Sequence, residues 1–183
     1  GQDGPSQMAL EDLAAFRAVH SSTVLYPCDA NQTAQLVAQM AEREGIVYLR
    51  TTRNATPTIY SPEERFPIGG SRVLRQSGSD AVTIVGAGVT LHEALEAAEG
   101  LERDGISARA IDRYSIKPID DETLRRAAEE TEALICVEDH WPEGGLGDAV
   151  LGALAESAER PPVIKLAVRD MPDSGSKQEL MHA

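Results

Sequence analysis

Two side chains in this sequence are placed where they could bind a ligand, an aspartate in a turn and an arginine after a strand. Asp3 precedes Gly4 and Pro5, a turn that can hold a carboxylate in the open for hydrogen bonds from hydroxyl groups. Arg53 follows a predicted strand, at the edge where parallel sheets bind ligands, and a guanidinium there can bind a phosphate with two hydrogen bonds. On their own, the two residues fit an ordinary turn aspartate and a solvated loop arginine at least as well.

Two turns that contain glycine are further candidates. The turn Gly86-Ala87-Gly88 joins a strand to a helix but lacks the third glycine of a dinucleotide-binding motif, which favours a tight turn over a nucleotide site. The segment 138–147 groups charges, a histidine and three glycines after a strand. Consecutive residues of an extended chain point to alternate sides, so one metal ion is poorly served by Glu138, Asp139 and His140. We expect instead a sharply bent loop that packs against a neighbouring domain or subunit.

Composition narrows the class of protein. The chain has 183 residues, 42% of them hydrophobic, which is enough for a core, and a formal net charge of -13. Such a charge argues against nucleic acid or an anionic membrane surface as the main partner. The sequence has no apolar run of membrane-spanning length, and its two cysteines, Cys28 and Cys136, lie in or beside apolar segments. These features predict a cytoplasmic protein whose thiols are small buried hydrophobic groups.

Short β-branched runs alternate with helical patterns along the chain. In the first third, the predicted elements are a helix capped by Ser6, a strand at 22–26, a helix capped by Asp29 and a strand at 46–50. After an irregular, proline-containing stretch, they are strands at 71–76, 81–85, 107–112, 133–138 and 163–168, and helices at 90–103, 121–130, 146–158 and 174–183. Strands separated by helices of this length predict an α/β fold with a mostly parallel sheet, and the irregular stretch predicts a domain boundary.

Taken together, these segments resemble transketolase, and their sequences are of the type found in animal transketolases. The resemblance rests on Asp-Gly-Pro-Ser-Gln-Met-Ala-Leu-Glu-Asp-Leu-Ala at 3–14, Arg-Thr-Thr-Arg at 50–53, Val-Gly-Ala-Gly-Val-Thr-Leu-His-Glu-Ala-Leu at 85–95, Ile-Lys-Pro-Ile-Asp at 116–120 and the glycine-rich segment 138–147. It extends in collinear order over essentially the whole chain. Deoxyxylulose phosphate synthase and the β-subunits of oxo-acid dehydrogenases share the domain plan, but the first differs in the opening motif.

The resemblance implies an architecture and a site. It implies two three-layer α/β/α units, with 1–70 as the second half of a pyrimidine-binding domain whose sheet is incomplete, and 71–183 as a complete C-terminal domain. It implies that Asp3 binds hydroxyl groups of the donor sugar, that Arg53 binds the substrate phosphate, and that Gln7 forms a hydrogen bond near the donor hydroxyl and the cofactor. No catalytic residue is expected within this sequence, because the activating glutamate of the family would precede Gly1.

The implied activity is transfer of two-carbon ketol units between ketose and aldose phosphates, with thiamine diphosphate as the electron sink and Mg²⁺ as its metal. The aromatic residue that stacks on the cofactor and the motif that holds Mg²⁺ and the diphosphate are absent from this sequence. We therefore expect the 183 residues to be part of a longer or split enzyme, to bind no cofactor alone and to be inactive alone. The expected partners are sugar phosphates, the missing N-terminal part of the enzyme and a homodimer partner.

Two other interpretations remain open from the sequence. The chain could be a noncatalytic assembly or dimerisation module, or a subunit of one of the related thiamine diphosphate enzymes. A weaker alternative is a free-standing nucleotide-binding domain built on Gly86 and Gly88.

Overall fold

Two β-sheets with helices on both faces make up the fold of the computed structural model, which describes residues 4, 8–157, 159–176 and 179–180. The helices are α1 Asp12–Ala18, α2 Ala30–Ala41, α3 Val89–Arg103, α4 Asp121–Glu130 and α5 Leu146–Ala153. The strands are β1 Thr23–Leu25, β2 Val47–Leu49, β3 Arg72–Arg75, β4 Val82–Gly86, β5 Ala108–Asp112, β6 Ser115–Lys117, β7 Ala133–Val137 and β8 Val163–Leu166. The predicted α/β class is confirmed.

The larger sheet has the strand order β3-β5-β4-β7-β8, and all neighbours except β3 and β5 run parallel. Helix α3 covers one face, where Ala94 and Ala98 pack against Ile84. Helices α4 and α5 cover the other face, where Leu124 and Val150 belong to the same core as strand β7. This arrangement is the three-layer unit that the resemblance implies, and its mostly parallel order is the one that the alternation of elements predicts.

The smaller sheet has the order β2-β1-β6, with β1 and β2 parallel and β6 antiparallel to β1. Leu13 of α1 and Val24 of β1 lie in one core cluster, whereas Leu36 of α2 and Leu25 lie in another, so helices cover both faces. Strand β6 comes from the second half of the chain, so the two sheets are tied together by their strands. The sequence pattern did not predict β6.

Three predicted element boundaries are wrong. Residues 8–11 are not helical; α1 begins at Asp12, after Ala9, which adopts a positive φ of 49° that interrupts a helix. Helix α5 ends at Ala153, five residues before the predicted end. Of the helix predicted at 174–183, the described residues show helix at 179–180, preceded by reciprocal hydrogen bonds between Ser176 and Glu179. The Ser6 cap lies outside the described residues.

None of the helices in the described part of the chain combines the length and the apolar character needed to cross a membrane.

Candidate functional site

Arg53 lies in the segment that leaves the carboxyl end of β2, and its side chain is exposed. This is the position that the sequence predicts for it, at the edge of a parallel strand pair. Asp3 and Gln7 lie outside the described residues, so their roles and their distance from Arg53 stay predictions. The geometry around the site is therefore built from the elements that hold the Arg53 segment.

A buried polar cluster holds the first end of that segment, and we call it the Arg50 cluster: Arg50, Asp12, Tyr26, Tyr48 and Asp139. Arg50 immediately follows β2, and its side chain is only 7% exposed. Its Nε lies 3.4 Å from Asp12 Oδ2, and its Nη2 lies 3.3 Å from Asp139 Oδ2. The guanidinium also lies over the ring of Tyr26, with 4.7 Å between Cζ and the ring centroid.

The two tyrosines complete the Arg50 cluster. The Tyr26 hydroxyl donates to Asp139 Oδ2 at 2.8 Å, and the Tyr48 hydroxyl donates to Asp12 Oδ2 at 2.5 Å. Burial alone would lower the pKa of Arg50, but the negative charges of Asp139 and Asp12 raise the pKa above its usual value. The arginine is thus held as a permanent cation whose two carboxylate partners come from opposite halves of the chain.

A second anchor holds the far end of the Arg53 segment. Asp29 caps helix α2 by accepting the N–H of Gln32 at 2.8 Å through Oδ1. Its Oδ2 accepts the N–H groups of Ile59 and Tyr60, each at 2.9 Å. Residues 51–58 are therefore fixed at both ends, which restricts the region that Arg53 can sample.

The buried carboxylate of Asp112 connects helix α2 and Tyr60 to the larger sheet. Asp112, at the end of β5, has no solvent exposure. Its Oδ2 accepts from Gln32 Nε2 at 2.7 Å and from the Tyr60 hydroxyl at 2.8 Å. Burial raises the pKa of Asp112 to about 6. All of these hydrogen bonds join chain segments to one another, which is a structural role.

The turn at Gly86–Gly88 is filled by protein. The Gly88 N–H donates to the Tyr26 carbonyl at 3.2 Å, and a Cβ at Gly88 would lie 2.1 Å from Cε2 and Cζ of the Tyr26 ring. The ring of Tyr26 therefore packs directly against the turn, and the Gly88 N–H already has a partner. The glycine is explained by close packing, which supports the tight turn that the sequence favours over a nucleotide site.

The glycine-rich segment 138–147 bends over helix α1. His140 is fully buried; its Nδ1 lies 2.7 Å from the Trp141 carbonyl, and its Nε2 accepts the Ala14 N–H at 3.3 Å. A Cβ at Gly144 would lie 2.5 Å from the Cβ of Ala14. Within the described residues, no group of three His, Cys, Asp or Glu side chains could hold a metal ion. The prediction of a bent packing loop is confirmed.

Comparisons of sequence agree with this architecture. Residues 69–183 match the family "Transketolase, C-terminal domain", and residues 1–58 match "Transketolase, pyrimidine binding domain". The chain belongs to the transketolase family. The predicted resemblance is thereby confirmed at the level of the family.

Individual proteins similar to this chain are also transketolases or transketolase-like proteins. Transketolase-like protein 1 of Bos taurus is 50% identical over 182 residues, which are 99% of this chain and 30% of that protein. Transketolase of Mus musculus is 47% identical over 182 residues, 99% of this chain and 29% of that protein. A solved "Split gene transketolase, inactive beta4 tetramer" is 43% identical, with a TM-score of 0.88 over 97% of this chain and 57% of that chain. The chain spans about three tenths of the length of the curated transketolase relatives.

Sequence reasoning missed Arg50, although it stands in the Arg-Thr-Thr-Arg motif. Asp139, which forms an ion pair with Arg50, was considered only as a poor metal ligand. A signal was present, because a charged residue at the end of a buried strand requires a partner of opposite charge. The sequence does not reveal that the partner is 89 positions away, because nothing local specifies the contact.

Proposed function

We propose that this chain is the substrate-orienting and assembly part of a transketolase that transfers two-carbon ketol units between sugar phosphates. In this proposal Arg53 binds the substrate phosphate, and Asp3 and Gln7 bind hydroxyl groups near the reacting carbon. The observation that carries the proposal is an exposed arginine on a segment fixed at both ends, in a chain half identical to transketolase-like proteins. Fixing the guanidinium converts phosphate binding into correct placement of the far end of the sugar.

We propose that the cofactor is held outside this chain. The described residues include no group of three His, Cys, Asp or Glu side chains that could hold a metal ion, and the Gly88 N–H is already bonded to the Tyr26 carbonyl. We propose that thiamine diphosphate and Mg²⁺ are bound by a complementary chain or segment. When bound, the cofactor supplies the electron sink for carbon–carbon bond cleavage, and this chain contributes orientation and charge.

The open edge of the smaller sheet supports the need for such a complement. Among the described strands, β2 is hydrogen-bonded only to β1, so its other edge has no strand partner. Ile46, just before β2, is 51% exposed, and Val37 on α2 is 49% exposed. An apolar strand edge of this kind favours addition of another strand. We propose that the complementary chain or segment pairs with β2 and covers the face of α2 that carries Val37.

Reconstitution tests the proposal. The chain is combined with a segment that supplies the cofactor-binding half, and ketol transfer is measured with a ketose phosphate donor. We expect activity from the mixture and none from the chain alone, and calorimetry should show no micromolar thiamine diphosphate binding to the chain alone. Ile46→Lys should reduce assembly because it places a charge at the β2 edge.

Variants separate substrate binding from assembly. Arg53→Ala should raise the KM of the phosphorylated donor by about 10- to 100-fold, equivalent to roughly 1.4–2.7 kcal/mol of lost phosphate binding. Arg126→Ala, on the exposed face of α4, is the matched control and should leave the KM unchanged. A mixture that assembles but transfers no ketol unit would favour the alternative of a noncatalytic assembly module.

A further inference from the structure

One arginine, Arg50, connects the three parts of the chain that the proposed site needs. Arg50 Nη2 lies 3.4 Å from the carbonyl oxygen of Met8, which directly follows Gln7 in the opening motif. Arg50 itself is three positions before Arg53, and its backbone N–H extends the β1–β2 ladder by donating to the Leu25 carbonyl at 2.9 Å. The same side chain reaches into the second half of the chain through Asp139.

Asp139 accepts hydrogen bonds from the Arg50 guanidinium through both its side chain and its backbone carbonyl. Arg50 Nη1 donates to Asp139 Oδ1 at 3.3 Å, and Nη2 donates to the Asp139 carbonyl at 3.1 Å. Asp139 is in turn held by the Tyr26 hydroxyl at 2.8 Å. A partly buried carboxylate with this many contacts sets the orientation of the arginine more strongly than a surface ion pair would.

We propose that the Arg50–Asp139 pair is the positioning device through which the second half of the chain sets substrate affinity. Arg50 aligns the opening motif and the Arg53 segment relative to each other, and Asp139 fixes Arg50. Neither residue contacts substrate in this scheme. The proposal deepens the proposed function and rests on it, because it assigns phosphate affinity to a pair remote from the phosphate.

The larger sheet offers a matched control for this pair. Asp80 and Arg109 also form a buried ion pair, with Nε 3.4 Å from Oδ2 and side chains 1% and 4% exposed. This pair lies at the opposite end of the sheet, since Asp80 precedes β4 and Arg109 stands near the beginning of β5. Asp80→Asn therefore removes a comparable charge without touching the Met8 or Arg53 segments.

The first test measures hydrogen exchange on the chain itself. In Asp139→Asn and in Arg50→Lys, the amide at position 50, which donates to the Leu25 carbonyl, and the amide of Trp141, which donates to the Leu10 carbonyl, should lose at least about 10-fold in protection. The reason is that the pair no longer fixes the segments that these two hydrogen bonds adjoin. In Asp80→Asn both amides should exchange at the wild-type rate. Unchanged exchange at position 50 and at Trp141 in Asp139→Asn would overturn the proposal, and this test needs no enzyme activity.

The second test measures kinetics in the reconstituted enzyme. Asp139→Asn should raise the KM of a phosphorylated ketose by about 10-fold and change kcat less than about 2-fold, because a misplaced guanidinium weakens binding of the phosphate. A ketose donor without phosphate should show a smaller rise in KM, of about 2-fold, because it depends on the opening motif but not on Arg53. Asp80→Asn should leave both KM values unchanged. Equal losses with both donors would overturn the proposal.

Combining variants shows whether Asp139 acts through Arg53. In an Arg53→Ala background, Asp139→Asn should add less than about 2-fold to the KM, because the group it positions is already absent. Fully multiplied effects would overturn the positioning role. If the wild-type mixture shows no ketol transfer, the proposed function fails, whereas the exchange rates still decide whether the pair fixes the two segments.

Discussion

The carboxylate of Glu138 faces the N–H of Gly147, with 3.3 Å between Oε1 and the amide nitrogen, at the beginning of helix α5. Glu138 is only 6% exposed, and Gly145 and Gly147 leave room for it, since a Cβ at Gly145 would lie 2.1 Å from Oε2. Burial raises the pKa of Glu138 to about 7, although the amide hydrogen bonds from Gly147 and Leu146 favour the charged form. Closure of the loop over α1 thus brings an acid into a poorly solvated position.

The first prediction is a pH dependence of stability. The pKa of Glu138 is higher in the folded chain than in the unfolded chain, so its stabilising effect is complete below about pH 4.5 and is lost as the pH rises through about 7. Glu138→Gln should therefore gain on the order of 2 kcal/mol relative to the wild type between pH 5 and pH 8. Urea denaturation at the two pH values measures this, and an equal difference at both would contradict it.

The second prediction concerns the contact between Gly88 and Tyr26. Gly88→Ala should destabilise the chain by more than about 3 kcal/mol, because the new methyl group meets the tyrosine ring and φ is +56°. Gly105→Ala is the matched control, since φ there is +82° but no atom lies within 4 Å of the added Cβ. It should cost about 1–2 kcal/mol from the backbone alone. Similar losses for the two variants, measured by denaturation, would show that the Tyr26 contact is relaxed easily.

The elements of this fold that could be predicted are those specified by residues close in sequence, such as helix caps and strand ends. Helix α4 begins at Asp121 and ends at Glu130 as predicted, because Asp120 supplies a cap that accepts the Thr123 N–H. Strand β6 was missed because it has three residues and is stabilised by a distant strand, β1. The Arg50 cluster was missed for the same physical reason, since long-range pairs leave no periodic pattern. The predicted Arg53 position was correct because strand ends are visible in sequence.

The third prediction concerns the thiols. Cys28 is 2% exposed and Cys136 is fully buried, in agreement with the sequence-based expectation. Burial raises the pKa of both thiols, that of Cys136 to about 12. Because the thiolate is the reactive form, an aromatic disulfide reagent at pH 8 should label neither cysteine in the folded chain and both in urea. Rapid labelling without urea would contradict this burial.

The fourth prediction tests the anchor at Asp29. Asp29→Ala removes the cap of α2 and the acceptor for the amides of Ile59 and Tyr60, so we expect a loss of about 2–4 kcal/mol. Asp29→Asn keeps one carbonyl oxygen, which can serve the helix cap or the two amides but not both. It should lose about half as much.

Hydrogen exchange assigns the loss to its cause. Asn is as good a helix cap as Asp, so in Asp29→Asn the Gln32 amide should stay protected while the amides at 59 and 60 exchange faster. Freed from Asp29, the far end of the Arg53 segment would be held mainly by Asn31, whose Nδ2 donates to the Tyr60 carbonyl at 2.8 Å. Wild-type exchange rates at 59 and 60 in Asp29→Ala would show that this amide suffices and that the carboxylate does not fix the segment.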